Sequence, residues 1–384
     1  MPRFRTFPLV VVLSMLAAAP ALPFHDGGVA ECAGCHTMHN SQNGTLVDAG
    51  HPNGNAYLLN AGTPSDTCLR CHAADGQFKQ GSGFGPGGDF YWVTRTFSWS
   101  AHGSTATSTG DSHGHNVIAP AYGIAQDATL FMAPGGTFLS SRLGCTSCHD
   151  PHGNRNFRLL YGSDRGPQYG GLNYTFTADA PLAKGNGRKT DTSDGNETNA
   201  RHTIYKSGMS EWCANCHTNL HANNTTNFVH QTGGMSSTIA GNYNAYVSTD
   251  GQRGGSLAVS YLGLVPFEAI NVDLATANPA NYTQGPTGND QIMCLSCHRA
   301  HASPFSDAAR WDMGETFLAD SHPAITDINF VQTDVDRKYY GYTLVRNQRS
   351  LCNKCHVKDY DDKPVFTRRP SLPEGPWPHN SVGE

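Results

Sequence analysis

No cysteine of this 384-residue chain stands outside one short pattern, no apolar run long enough to span a membrane follows the first twenty residues, and no run of Lys or Arg exceeds a pair such as Arg368-Arg369. The first absence leaves no thiol for a structural disulfide. The second excludes an integral membrane protein with helical spans. The third argues against nucleic acid as a partner, since binding it requires basic patches that displace counterions. Apolar residues make up only 38 % of the chain, while Gly (42) and Pro (22) are plentiful, so protein side chains by themselves offer a meagre core for this length.

What is present is CxxCH, six times: Cys32, Cys35 and His36; Cys68, Cys71 and His72; Cys145, Cys148 and His149; Cys213, Cys216 and His217; Cys294, Cys297 and His298; Cys352, Cys355 and His356. Two thiols three residues apart reach the two vinyl groups on one edge of a haem, and the imidazole that follows binds its iron from below. A thioredoxin-like redox pair or a zinc site also uses CxxC, but neither accounts for a histidine at the fifth position six times out of six. The sequence is therefore read as a c-type cytochrome with six covalently bound haems. Burying porphyrin at each site supplies the apolar area that the side chains lack, so the fold class expected is a multihaem cytochrome, mostly coil with short helices around the motifs and little or no strand, with a haem chain as its core.

Arg3 and Arg5, an apolar stretch from Phe7 to Ala19 and the small-residue pattern Ala19-Pro20-Ala21 read as a secretory leader over 1–23, cleaved near 21–23. A single hexahaem domain is expected over 24–359 and a Pro-rich tail over 360–384. The formal charge of −5 understates the acidity of the loaded protein, because each haem adds two propionates against about one net positive charge on ferric iron.

The motifs are unevenly spaced, which excludes a simple tandem array of one repeat. The stretches Gly81–Gly88, Ser104–Gly114 and Lys184–Asn199 have loop composition, and Ser210–Ala222 reads as a helix with Ser210 at its N-cap. Beyond the six motif histidines there are thirteen more: His25, His39, His51, His102, His113, His115, His152, His202, His221, His230, His301, His322 and His379. These suffice to give every iron a second imidazole. Methionine is the competing ligand, but two of the eight, Met1 and Met15, fall in the leader, and bis-histidine iron is expected throughout. His39, His152, His221 and His301 stand three or four residues past a motif. From there a side chain stays on the proximal side of its own haem and must ligate a different one, held close by the short tether. His51, His102, His113, His202, His322 and His379 read as surface or loop residues, and His113-Gly114-His115 lacks the carboxylates of a separate metal site.

The segments FHDGGVAECAGCHTMHNS (24–41), GGDFYWV (87–93), GHNVIA (114–119), CTSCHDPHG (145–153), GMSEWCANCHTNLH (208–221), CLSCHRAHAS (294–303) and LCNKCHVKD (351–359) resemble the OmcS-type extracellular hexahaem cytochromes, with all six motifs in order. The resemblance implies a head-to-tail homopolymeric filament with a continuous row of bis-His haems. It implies that His39 crosses to the neighbouring subunit and ligates the fifth haem, held there by Cys294, Cys297 and His298. It also makes His25, His115, His152, His221, His230 and His301 ligand candidates, which with His39 gives seven for six places, His25 or His230 being the spare. The linker between the third and fourth motifs is shorter than in that family and the tail has no counterpart.

The function expected is electron transfer by hopping between haems along a filament, secreted through the periplasm, toward other redox proteins and extracellular acceptors such as metal oxides, electrodes or partner cells. A discrete periplasmic or surface carrier is the alternative. Catalysis is disfavoured, because no motif ends in a residue other than His and sixth ligands are abundant.

Overall fold

In a computed structural model the chain is described over residues 32–73, 87–101, 103–163, 165–169, 172–185, 197–221, 232–246, 257, 260–340, 342 and 344–356. The expected leader and tail, His25, His102, His230, His379 and residues 81–86 lie outside the described residues.

The regular elements are short and threaded on long irregular connections, as the Gly- and Pro-rich composition requires. In chain order they are β1 (Ser41–Gln42), β2 (Thr45–Leu46), α1 (Pro64–His72), β3 (Phe97–Ala101), β4 (Ser104–Ser108), β5 (Gln168–Tyr169), β6 (Leu172–Asn173), β7 (Leu182–Lys184), β8 (Ile204–Ser207), α2 (Met209–Cys213), α3 (Thr218–His221), β9 (Gly233–Gly234), α4 (Ser237–Ala245), β10 (Gln291–Ile292), α5 (Cys294–Cys297) and α6 (Gln332–Arg337). Strand occurs as two-stranded antiparallel ribbons: β1 with β2, β3 with β4, β5 with β6, β7 with β8 and β9 with β10. No helix among the described residues is long and apolar enough to cross a membrane.

Two expectations are corrected. Residues 104–108 are not loop but β4, in register with β3 from Phe97 opposite Ser108 to Ala101 opposite Ser104; Thr105 and Thr107 are strand formers that the Gly and Ser around them masked. The helix expected over 210–222 is broken after Cys213, and its N-cap is Gly208 (φ 88°) rather than Ser210. The left-handed conformation admits glycine without steric cost and frees the Ser210 hydroxyl for a contact described below.

α1 is specified locally. The Thr63 hydroxyl accepts from the Asp66 backbone N–H at 3.0 Å, Pro64 opens the first turn and Asp66 faces the positive end of the helix dipole. The Asp66 carboxylate, buried, also accepts from the Ala121 N–H at 3.0 Å, which fixes α1 against the next segment. Glu268 stitches the β7–β8 and β9–β10 ribbons together. It bridges Tyr205 of β8 on one side and Gln291 of β10 on the other, and its carboxylate accepts from the Met209 N–H at 2.8 Å at the start of α2.

Three apolar clusters support the irregular chain. A large one, rich in tyrosine, joins Tyr243 and Tyr246 to Tyr261, Leu262, Phe267, Trp311 and Tyr339. A second packs Leu69, Phe90, Trp92, Phe97 and Ile124, and a small third holds Tyr205, Met209, Met293 and Leu295.

Candidate haem-binding sites

Each motif is wound into one helical turn. The backbone N–H of the motif histidine reaches the carbonyl of the first cysteine at 2.8 Å (His36 to Cys32), 3.0 Å (His149 to Cys145), 3.0 Å (His217 to Cys213), 3.1 Å (His298 to Cys294) and 3.0 Å (His356 to Cys352), and Cys68 to His72 form the last turns of α1. Residues three and four apart share a helix face, so both thiols and the imidazole project together. None of the twelve cysteines is in a disulfide.

The thiols of successive motifs adjoin. The Cys68 and Cys145 thiols are close enough to share a proton, and this closeness together with burial raises the pKa of Cys68. Cys213 and Cys294 repeat this relation. Cys35 feels the charge of Cys71, Cys148 that of Cys216, and Cys297 those of Cys352 and Cys355. The six motifs therefore follow one another in space in their sequence order.

The imidazoles come together in pairs from distant parts of the chain. The ring centres of His36 and His152 are 6.4 Å apart with planes inclined by 5°, those of His149 and His301 are 6.4 Å apart at 70°, and those of His115 and His217 are 6.0 Å apart at 43°. With metal–imidazole bonds of about 2.0–2.1 Å and ring centres about 1 Å further, two imidazoles on opposite sides of one metal stand about 6 Å apart. In five of these six rings Nδ1 meets a backbone carbonyl: Tyr57 for His36 (2.9 Å), Arg158 for His149 (2.8 Å), Pro134 for His217 (2.9 Å), Ala300 for His115 (2.7 Å) and Gly88 for His301 (3.2 Å). A carbonyl only accepts, so Nδ1 carries the proton and Nε2 keeps the lone pair that a metal takes. Burial holds the pKa of His115 and His149 below the ordinary value and that of His301 down to about 3. These rings are neutral, as ligation demands. The donor sets fit covalently held haem, and no group of three His, Cys, Asp or Glu side chains forms a separate metal centre among the described residues.

The other sequence candidates are placed as follows. His298 has the same outward Nδ1 contact, to Asp307 at 2.7 Å, but no second imidazole faces it among the described residues. His39 is exposed and makes no hydrogen bond or ring contact among the described residues. His221, exposed, lies 3.9 Å from Glu211 and 3.4 Å from the Thr232 hydroxyl. His72 and His356 end their motif turns. His25 and His230 are outside the described residues. Of the histidines read as surface or loop residues, His113 and His202 prove buried, although His202 does stand outside every regular element. His113 is fully buried between the Trp92 carbonyl (2.9 Å) and the Ser108 hydroxyl (2.7 Å), and His202 is buried against Tyr282. The rims of aromatic residues that bury them are assembled from distant segments and left no local signal.

A repeat unseen in the sequence emerges from these contacts. After the first, third and fifth motifs the chain makes the same turn, with paired left-handed residues Tyr57-Leu58, Arg158-Leu159 and Asp307-Ala308 (φ between 51° and 58°). In each, the first residue's carbonyl takes the proximal Nδ1. The second residue's carbonyl accepts from the residue after the motif histidine (Thr37, Asp150, Arg299), and the N–H two residues further, on Asn60, Tyr161 and Arg310, returns to the second motif cysteine (Cys35, Cys148, Cys297). The even motifs repeat as well: the hydroxyls of Ser65 and Ser210, each three residues before its cysteine, accept from the N–H of Cys145 and Cys294. The molecule is three two-motif modules, beginning at Cys32, Cys145 and Cys294. The second-cysteine-to-N–H loop is 25 residues long in the first module and 13 in the other two, and the two motifs of a module lie 36, 68 and 58 residues apart, so no regular spacing shows in the sequence.

Among protein-family profiles none matches the sequence. The chain is 35 % identical to the C-type cytochrome OmcS of Geobacter sulfurreducens, over 91 % of this chain and 98 % of that one. Among solved structures, a cryo-EM structure of OmcS nanowires from the same organism is 33 % identical, with a TM-score of 0.72 over 88 % of this chain and all of that one. An Outer Membrane Cytochrome S filament from the same organism gives 32 % and 0.71 over the same shares. With CxxCH turns that fit covalent haem and a likeness spanning nearly the whole of both chains, this protein belongs to the OmcS family of c-type cytochromes.

Proposed function

We propose that the chain carries six bis-histidine haems and polymerises into an extracellular filament along which electrons hop from haem to haem. Haem supplies a one-electron couple at each iron. The protein's part is to fix the irons between neutral imidazoles whose Nδ1 protons are anchored on backbone, so that little rearranges when an electron arrives or leaves, and to hold consecutive motifs in contact.

The observation that carries the polymer is a mismatch within the odd motifs. His36 and His149 each face an imidazole supplied by the next odd motif, His152 and His301 respectively. Among the described residues no imidazole faces His298, and His39 faces none. An exposed donor at one end and an incomplete pair at the other suit a second copy of this chain. OmcS, 35 % identical, has been solved in the form of nanowires, which supports the same assembly here. Metal oxides, electrodes and partner cells are the acceptors this reading favours.

Electron microscopy of the secreted protein beside its His39→Ala variant tests the reading. Filaments are expected from the first, and from the second short particles with about one high-spin haem per subunit. Discrete particles from the unaltered protein would leave a six-haem carrier instead.

A further inference from the structure

The three modules make equivalent contacts, and the residue just before each distal histidine can therefore be compared: Met38, Pro151 and Ala300. In the third module Ala300 packs on the small apolar cluster of Tyr205, Met209, Met293 and Leu295, of which the first two belong to the second module, while the adjacent His301 faces His149 of that second module. At this joint the position before the distal histidine thus meets apolar surface to which the preceding module contributes. In the first module the same position carries Met38, a larger and more adaptable apolar side chain, and it is 77 % exposed. Tyr57 and Leu58, on the left-handed turn of the same module, are 57 % and 51 % exposed. Among the described residues no earlier module covers them. An unbranched thioether suits an imperfectly matched apolar surface, and contiguous exposed apolar groups mark an interaction site.

We propose that Met38 is the apolar anchor of the joint between copies, seated on the third module of the neighbouring chain as Ala300 is seated on the second module of its own. The occupant of this surface is a second copy of the chain, because the same contact is already made once inside it. This joint rests on the polymer reading above and adds to it a contact independent of iron ligation.

The test is the Met38→Asp variant, with Met38→Leu as the conservative companion, examined by electron microscopy and sedimentation. Burying the methionine is expected to hold copies together strongly enough that the aspartate variant loses filament mass at least about tenfold, with the haem absorption per subunit unchanged, while the leucine variant polymerises. Peroxide footprinting of the unaltered protein is the second measurement. Met38 is expected to convert to sulfoxide at least about tenfold more slowly in filaments than in dissociated subunits. Filaments of normal length from Met38→Asp, or equal oxidation in both states, would overturn the proposal even though the polymer stands. Absence of filaments from the unaltered protein would overturn the polymer reading and this inference with it.

Discussion

At the scale of single residues, ligation is divided between local and remote instructions. The proximal half of every site is written in five consecutive residues, because one helical turn suffices to align two thiols and an imidazole. The distal half is not. His152 faces His36 across 116 positions of sequence, and His115 faces His217 across 102, so nothing short of the fold could match them. Under the ligation proposed above, a short tether would keep His152 and His301 from their own haems but does not say whose they would be. The pairing makes a sharp expectation for His152→Ala: about one sixth of the iron becomes high-spin in electron paramagnetic resonance, at the haem of Cys32 and Cys35, while filaments persist because His39, the ligand proposed to cross the joint, is left in place. Loss of low-spin signal from the third haem instead would refute the pairing.

At the scale of elements, short helices and ribbons survive because side chains close the backbone bonds that so little regular structure leaves open. Ser65 and Ser210 do so across module boundaries, and removing the buried Ser210 hydroxyl in Ser210→Ala leaves the Cys294 N–H without its partner, at a cost of about 1–2 kcal/mol in urea unfolding. Glu268 is a costlier fastening. Burial raises its pKa to about 7, against 4.5 for the free side chain, although the Met209 N–H opposes the shift. Because the folded state binds this proton more tightly than the unfolded one, the folded state gains between pH 4.5 and 7 as pH falls, and stability declines as pH rises through that window. Glu268→Gln is expected to remove the decline and to add about 1–3 kcal/mol at pH 8, read from denaturation midpoints at pH 5 and pH 8. Equal midpoint differences at the two pH values would show that the carboxyl does not titrate there. The sequence marked none of this. Glu268 sits in an apolar stretch, Val265 to Ile270, and its role depends on two ribbons from elsewhere. Ser210 looked like a helix cap by its position, whereas the glycine two residues earlier starts the turn.

At the scale of the whole molecule, stability is unevenly shared. The largest apolar cluster runs from Met235 to Leu351, chiefly within and just before the third module, while residues 32–62 of the first contribute nothing to the three clusters. Local opening follows buried contact, so in amide hydrogen exchange α4 and residues 261–267 are expected to be the slowest and residues 37–62 the fastest, by two orders of magnitude or more. Polymerisation is expected to slow the fast segment selectively, since the joint proposed above covers it. The class of molecule and its sparse regular structure were legible in composition and motif count. Its modular plan was not, because the two motifs of a module stand at a different distance each time and the repeat lives in backbone hydrogen bonds on dissimilar residues, Tyr57, Arg158 and Asp307.

Three like turns offering three like sockets raise a question of fidelity, for a stray chain's His39 could compete at His36 or His149 as well as at His298. Covalent tethering answers it. His152 and His301 are delivered to their sockets by the same polypeptide, at effective concentrations in the millimolar range, which a dilute second chain does not approach. In the filament proposed above, intruders would be outcompeted at the interior sockets and would succeed only at the terminal one, so growth would proceed end to end and side branches would be suppressed without any residue dedicated to preventing them.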